Sequence, residues 1–276
     1  MNNSDSPEGA MSLIEGGGDM AGAAVGGALG LIGGPAGIAA GAVGGVLVTR
    51  TVKRIGNELS ERFLSPRQRL RTGAAFAVAA DDIHARLEAG DEPRDDGFFV
   101  SRDDHRSSAE ELLEGTLLQA ADSYEERKVT YLGHFYSSVI FDESVSAGEA
   151  NFLLRIAESI TYRQLVFLSI IGRGDWNTKL IDIDVDRSEG TINSWPETGH
   201  EITELGSIDL IGIVSPGGVA RPMSEKPGAG IMVSGLGRAA LRPLGLNLFR
   251  LMRLDVYKRQ LHGRSRMRGL DRRWFE

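Results

Sequence analysis

Capping residues and apolar residues spaced three or four positions apart predict several helices in the middle of the chain. Ser65 is followed by Pro66, an arrangement typical of a helix N-cap with proline at the first helical position. We expect this helix to continue to about Ala89 and to be ended by the polar stretch 90–97. Its inward-facing positions are Leu70, Phe76, Ile83 and Leu87.

Capping boxes, in which Ser or Thr is followed three residues later by Glu or Gln, mark further helix starts. They are Ser107–Glu110, Ser146–Glu149 and Thr161–Gln164. The first precedes a long helical pattern that continues through Tyr124 to Val139, and the other two predict helices at about 147–159 and 162–172. A basic amphipathic segment precedes these helices, and residues 50–172 are predicted to form a helical bundle.

Beyond Gly172 the pattern changes to short strand-like runs separated by turns, which predicts a small α+β module over residues 173–254. We expect a strand, a helix leading into a strand, a Pro/Gly-rich loop, another strand and a closing helix. These segments cover residues 180–185, 201–214, 215–230, 231–233 and 243–254.

The runs Ile208–Val214 and Leu244–Phe249 give this module an order of elements that resembles the end of a winged-helix domain. Glu201 and Glu204 stand where a DNA-reading helix would carry Arg or Lys. The resemblance therefore implies a protein-interaction module, and DNA binding is not inferred from it.

Upstream of the helices, residues 21–49 are uncharged and consist almost entirely of Gly, Ala and aliphatic residues. The glycines form two ladders with four-residue spacing, so each ladder lies on one face of a helix and lets another backbone approach closely. The first ladder is Gly22, Gly26, Gly30 and Gly34, and the second is Gly33, Gly37, Gly41 and Gly45.

This composition favours a membrane segment, because interior glycines cost about 1 kcal/mol each in a water-exposed helix, whereas lipid requires a helix. As one helix, residues 21–49 would be roughly 43 Å long, which is enough for a tilted or kinked span. A break at Pro35 would instead give a short hairpin. A flexible Gly/Ala-rich tail and a hairpin buried in a soluble oligomer remain alternatives.

The charges on the two sides of this segment differ. Residues 1–20 contain four acidic residues and no Lys or Arg, whereas Arg50, Lys53 and Arg54 follow the segment directly. Under the positive-inside rule this asymmetry predicts a cytoplasmic C-terminal part. The segment resembles the glycine-zipper regions of bacterial membrane and surface proteins, which implies membrane association and self-packing in a bacterial inner membrane. A wholly cytoplasmic protein is the alternative.

The last residues differ from the body of the chain. Residues 255–260 match the translation of a transposase adapter used for DNA sequencing libraries, so residues 255–276 are interpreted as an artefactual tail of a metagenomic sequence. The tail has seven basic and three acidic residues; the rest of the chain carries a net charge of −11. This charge disfavours nucleic acid as a partner.

Three groups of residues have spacings compatible with a cofactor-binding, metal-binding or catalytic site, and each also has a structural explanation. Gly235–Ala240 follows a predicted strand as in a dinucleotide fingerprint, but a turn is preferred. Asp182, Asp184 and Asp186 would share one face of a strand, where a solvated edge explains them better than a cation site. Asp81, His84 and Glu88 share a helix face, where surface ion pairing is preferred to a metal or a catalytic base.

The chain contains no cysteine, and no nucleophile–histidine–carboxylate arrangement, P-loop or zinc-protease motif is evident. We therefore predict no enzymatic activity, no cofactor and no metal. His134 lies among aromatic residues that are typical of a core.

The predicted fold is mainly α, with an N-terminal glycine-zipper transmembrane helix or hairpin, a helical bundle and a small winged-helix-like C-terminal α/β module. The five predicted segments are 1–20 (disordered and acidic), 21–49, 50–172, 173–254 and 255–276. The first hypothesis is a membrane-anchored protein that forms a homo-oligomer through its zipper, contacts membrane lipid and binds an unidentified protein partner. The second is a soluble cytoplasmic adaptor or regulator that uses the winged-helix-like module.

Overall fold

A computed structural model describes residues 43–60, 65–101, 105–173, 195–214, 220–222 and 239–256. The described residues are mainly helical, with a few short strands. The chain divides into two compact units. The first unit extends to Thr161 and also contains Leu251–Arg253, and the second contains Tyr162–Arg250 and the residues from Leu254 onward.

The first unit is built from five described helices. They are α1 (Val43–Ser60), α2 (Pro66–Glu88), α3 (Ser108–Asp122), α4 (Glu126–Val139) and α5 (Ala147–Ser159). Helix α2 packs against both α3 and α4, while α1 and α5 both pack against α3. The four predicted inward positions of α2 are buried, as are the aromatic residues around His134.

The predicted helix starts are confirmed for α2 and α3, because Ser65 and Ser107 each form a complete capping box with the residue three positions later. Ser146 caps α5 by accepting a hydrogen bond from the backbone N–H of Glu149. Each cap provides partners for backbone N–H groups that have none within the helix. These local contacts explain why the helices begin where the sequence predicts.

The single long helix predicted from Ser107 to Val139 is wrong, since the chain forms two helices with a break at Ser123–Glu125. Ser123 has an extended backbone, with φ −65° and ψ 118°, and ends α3. Tyr124 is 81% exposed, although the apolar periodicity treats it as a core position. The spacing of Tyr124 fits the apolar stripe of a helix, but the residue lies in the connection between α3 and α4.

Helix α1 begins inside the uncharged stretch, at Val43, and continues through the basic residues to Ser60 without interruption. Its buried face consists of Val48, Thr51, Val52, Ile55 and Gly56. On this face, the C-terminal end of the predicted membrane segment therefore packs against protein at Val48. Among the described residues, no helix has the length and apolarity needed to cross a membrane.

The second unit combines helices with a small sheet. Its helices are α6 (Tyr162–Arg173), α7 (Trp195–Ser207) and α8 (Pro243–Leu251), of which Leu251 belongs to the first unit. Strands β1 (Ile211–Val214), β2 (Ala220–Pro222) and β3 (Ala239–Leu241) form an antiparallel sheet in the order β2-β1-β3. A short 3-10 helix, Leu254–Val256, follows.

In this unit the predicted passage from a helix into a strand is confirmed, although α7 begins six residues earlier than predicted. Strand β2 lies within the stretch predicted as a loop, and it pairs with β1 through Gly212 opposite Pro222. The predicted strands at 180–185 and 231–233 lie outside the described residues.

Candidate functional site

The first unit contains a buried cluster of polar side chains centred on Asp82. Asp82 is only 8% exposed and lies in the buried stripe of α2, between Ala79 and Ile83. Because isolated buried carboxylates are costly, such a residue needs charged or hydrogen-bonding partners. The structure provides them from α4 and from the segment Leu251–Arg253.

His134 and Ser137 supply the contacts from α4. They are three residues apart and therefore lie on the same helix face. His134 Nδ1 lies 3.0 Å from Asp82 Oδ2, and the Ser137 hydroxyl donates a hydrogen bond of 2.8 Å to the same oxygen. The packing of α4 on α2 thus brings together residues that are more than 50 positions apart in sequence.

Arg253 binds the other carboxylate oxygen, Oδ1, through its Nη1. Its backbone is in the left-handed region, at φ 52°, which residues other than glycine rarely adopt. The preceding residues Leu251 and Met252 are buried and belong to the same unit. The ion pair therefore holds a conformation that the backbone alone does not favour.

The environment of Asp82 favours its ionised form. Burial raises its pKa, but the hydrogen bonds and charges of His134 and Arg253 outweigh burial and place the pKa of Asp82 below its usual range. The carboxylate is consequently ionised at neutral pH and attracts both neighbouring groups. The cluster is an electrostatic contact that joins three parts of one unit.

The same residue types occur in hydrolase triads, but here they are connected differently. In a triad, histidine lies between the nucleophile and the carboxylate. Ser137 instead directs its hydroxyl to Asp82 and is fully buried, with the carbonyl oxygen of His134 2.9 Å away. A serine that is hydrogen-bonded to the carboxylate and shielded from solvent is not arranged as a nucleophile.

A second charged cluster connects α1 to α3. The Arg54 guanidinium lies 3.2 Å from Glu58 Oε1 and 3.1 Å from Glu110 Oε1. Arg106 contacts both Glu58 and Glu114. Half of the Arg54 side chain is exposed, so its ion pairs contribute little individually. Their geometric effect is to fix the orientation of α1 on α3.

Tyr136 carries another buried polar group of this unit. Its hydroxyl is fully buried and has no hydrogen-bond partner among the described atoms. Burial, with a smaller contribution from the Glu110 carboxylate, raises the pKa of Tyr136 far above its usual range. The phenol therefore stays protonated, and its burial separates it from any substrate in solution.

Lys128, on helix α4, caps the C-terminal end of helix α5. Its Nζ donates hydrogen bonds of 2.6 Å to the carbonyl oxygens of Glu158 and Ile160, which lie at the C-terminal end of α5. Helix C-termini carry partial negative charge, so an ammonium group is favourable there. Burial lowers the pKa of Lys128, against the opposing effect of Glu125 and Glu158.

We expect Lys128→Met to lower the free energy of unfolding by about 2 kcal/mol, because it leaves two carbonyl oxygens without their donor. Urea unfolding followed by circular dichroism measures this loss. Arg127→Met is the matched control, since Arg127 is an exposed cation at the preceding position. An equal effect of the two substitutions would contradict a specific role for the Lys128 ammonium.

Of the group predicted from spacing on α2, Asp81, His84 and Glu88, the structure pairs His84 with Glu88. His84 Nδ1 lies 3.5 Å from Glu88 Oε2, as the ion-pair interpretation predicts, and Asp81 has its own polar contact. No group of three or more potential metal ligands occurs among the residues that the structure describes. His105 and His200 are exposed.

Other predicted positions lie outside the described residues. These are seven zipper glycines (Gly22, Gly26, Gly30, Gly33, Gly34, Gly37 and Gly41) and the aspartates Asp182, Asp184 and Asp186. The remaining zipper residue, Gly45, lies in the first turn of α1. Of the glycine motif at 235–240, Ala239 and Ala240 lie in the antiparallel strand β3 and not at the start of a helix, as a dinucleotide site would require.

Sequence reasoning missed Asp82 and Arg253. The available signal was a carboxylate inside an apolar helical stripe, four residues after Val78 and one before Ile83. Such a residue needs a partner, but helical periodicity does not identify it.

Comparison with protein-family models, with characterised proteins and with solved structures finds no match to this chain.

Proposed function

We propose that this chain is a membrane-anchored, self-associating protein without enzymatic activity, whose helical bundle binds a protein partner on the cytoplasmic side of a bacterial inner membrane. The observation that carries this proposal is the double glycine ladder in an uncharged stretch with acidic residues before it and basic residues after it. Its C-terminal end continues directly into α1, which packs on the bundle.

The packing of α1 supports a defined boundary between anchor and bundle. Val48 is 0% exposed, so lipid cannot surround the helix at that position. Residues 21–47 remain for the bilayer, and at 1.5 Å per residue they would extend about 40 Å as a single helix. This length exceeds a hydrocarbon core of roughly 30 Å, so the shorter segment still suffices for a tilted span.

The absence of enzymatic activity is proposed from the arrangement of the described polar groups. Ser137 is buried and binds the carboxylate directly, and the phenol of Tyr136 is inaccessible and held protonated. Both arrangements are those of structural residues, because a catalytic group must reach its substrate. The bundle is accordingly proposed as a binding module.

The second candidate is a soluble adaptor whose winged-helix-like module binds a protein. It is favoured by the burial of Val48, which shows that part of the uncharged stretch packs against protein. Acidic residues on α7 are engaged with α6 within the second unit: Arg163 Nε lies 2.5 Å from Glu201 Oε2, and Gln164 donates a hydrogen bond to Glu204. Helix α7 itself contains no Lys or Arg, so it lacks the basic face that duplex DNA would require.

Membrane fractionation of the full chain, followed by an alkaline carbonate wash, distinguishes the two candidates. Integral proteins remain in the washed membrane pellet, whereas peripheral and soluble proteins are released. We expect retention, because residues 21–47 would be held by burial of their apolar side chains. Release into the supernatant would reject the membrane anchor and favour the adaptor.

Self-association is tested by replacing two ladder glycines. Gly26→Leu together with Gly30→Leu is expected to abolish cross-linked oligomers while leaving carbonate-resistant insertion intact, because bulky residues keep helix backbones apart. Ala24→Leu together with Ala28→Leu is the matched control, since it adds the same side chains to the opposite helix face. Persistence of oligomers in the glycine variant, or their loss in both variants, would contradict packing through this ladder.

A further inference from the structure

The two faces of α1 have opposite characters over the same three turns. Val48, Val52 and Ile55 are almost completely buried in the first unit. Val46, Arg50 and Lys53 have the same spacing on the opposite side, and all three are exposed. The helix is therefore covered by protein on one face only.

The exposed face is basic in a region without negative charge. No acidic residue occurs between Ala21 and Asn57, so Arg50 and Lys53 have no acidic neighbour along the helix before Glu58. The described residues provide no ion pair for either cation, whereas Arg54, on the flank of this face, is paired with Glu58 and Glu110. Exposed cations next to an apolar segment are electrostatically complementary to an anionic surface.

Val46 adds an apolar contact to this face. It is 60% exposed, although Val48, two positions further on, is fully buried, and it belongs to the uncharged stretch. Seven residues separate Val46 from Lys53, or about 10 Å along the helix axis. Arg50 lies about 6 Å from Val46 along the axis, within one headgroup layer of roughly 5–8 Å, and the long side chain of Lys53 can reach the same layer from just outside it.

We propose that the exposed face of α1, formed by Val46, Arg50 and Lys53, lies against the headgroup layer of a bilayer that contains anionic phospholipid. The proposal rests on the membrane anchor proposed above and adds a lipid preference to it. The apolar stretch supplies insertion. The face of α1 supplies contact with anionic headgroups, and because its other face packs on α3, this contact orients the bundle at the bilayer surface.

The absence of cysteine allows a probe to be placed at one position. Val46→Cys in the full chain, labelled with an environment-sensitive nitrobenzoxadiazole dye, reports contact between α1 and lipid. The labelled protein is reconstituted into phosphatidylcholine vesicles with or without phosphatidylglycerol. We expect a blue-shifted, brighter emission that is stronger with phosphatidylglycerol and that weakens as salt is added.

Removing the two cations tests the charge contribution. Each basic residue near an anionic surface strengthens binding about fivefold, so Arg50→Gln with Lys53→Gln should lower the equilibrium constant for phosphatidylglycerol-dependent contact about 30-fold. Arg69→Gln with Arg155→Gln is the matched control, since it removes two exposed cations from α2 and α5. The control is expected to keep the full response.

The carbonate wash is applied to the same vesicles, so that failure of the membrane anchor can be distinguished from failure of the lipid-binding face. Loss of retention together with no change in emission would overturn the membrane anchor and this proposal with it. Retention with equal emission in both kinds of vesicle, or an unchanged response after Arg50 and Lys53 are replaced, would overturn only the lipid-binding face. Equal weakening in the control variant would mean that net charge, and not this face, selects the lipid, and would also overturn it.

Discussion

The substitution Gly133→Ala is expected to lower the free energy of unfolding of the first unit by about 3 kcal/mol. A Cβ added at Gly133 would lie 2.7 Å from the carbonyl oxygen of Ala75 and 2.9 Å from the Cβ of Val78. The Ala75 oxygen is a backbone atom, so it cannot move without displacing α2. The clash thus forces apart two helices that form the centre of the bundle.

Helix propensity acts in the opposite direction at this position. Alanine is favoured over glycine by about 1 kcal/mol inside a helix, so α4 by itself would gain from the change. The expected loss means that the close approach of α4 to α2 dominates local propensity. Glycine is required at position 133 because α2 packs closely against it, and not because the backbone there has an unusual conformation.

The matched control is Gly148→Ala on α5, because a Cβ added there meets no atom within 4 Å. This variant should be unchanged or slightly stabilised. Urea unfolding followed by circular dichroism compares the two, since the first unit is helical. Equal stability of both variants would show that α2 and α4 can separate without cost, and would contradict the packing described here.

The sequence predicted features that depend on contacts between near neighbours in the chain. The starts of α2 and α3 are confirmed because a capping box consists of residues three positions apart. Periodicity does not predict the break at Ser123, since it does not show whether Tyr124 is covered by another element. Local patterns identify which face of a helix is apolar, but not what covers it.

The buried cluster shows the same limit more clearly. Helical spacing favours Asp81, His84 and Glu88 because they share a helix face, whereas the residue that binds His134 is Asp82. Its partners lie 52 and 171 positions away, and only the packing of α4 and the return of Leu251–Arg253 to the first unit brings them together. No spacing rule within one segment contains that information.

Asp82→Asn is expected to lower the free energy of unfolding by about 2–3 kcal/mol at neutral pH. Removing one partner of a fully buried ion pair costs about 3–5 kcal/mol, and the partial exposure of Arg253 reduces that value. Asparagine keeps the shape of the side chain, so the change removes charge without opening a cavity. Asp91→Asn is the matched control, because Asp91 forms an exposed pair with Arg86 at 2.7 Å and should contribute under 1 kcal/mol.

The pH dependence of the Asp82 variant identifies the source of this stability. The folded protein holds the pKa of Asp82 below the unfolded value, so the carboxylate stabilises the fold above the unfolded pKa, and this contribution is lost as the pH falls through the folded pKa. Unfolding curves for the original chain and Asp82→Asn should therefore differ most near neutral pH and converge in acid, while Asp91→Asn follows the original chain. A difference that persists unchanged into strong acid would mean that the substitution acts through shape or hydrogen bonding alone, because an electrostatic contact to Arg253 and His134 requires an ionised Asp82.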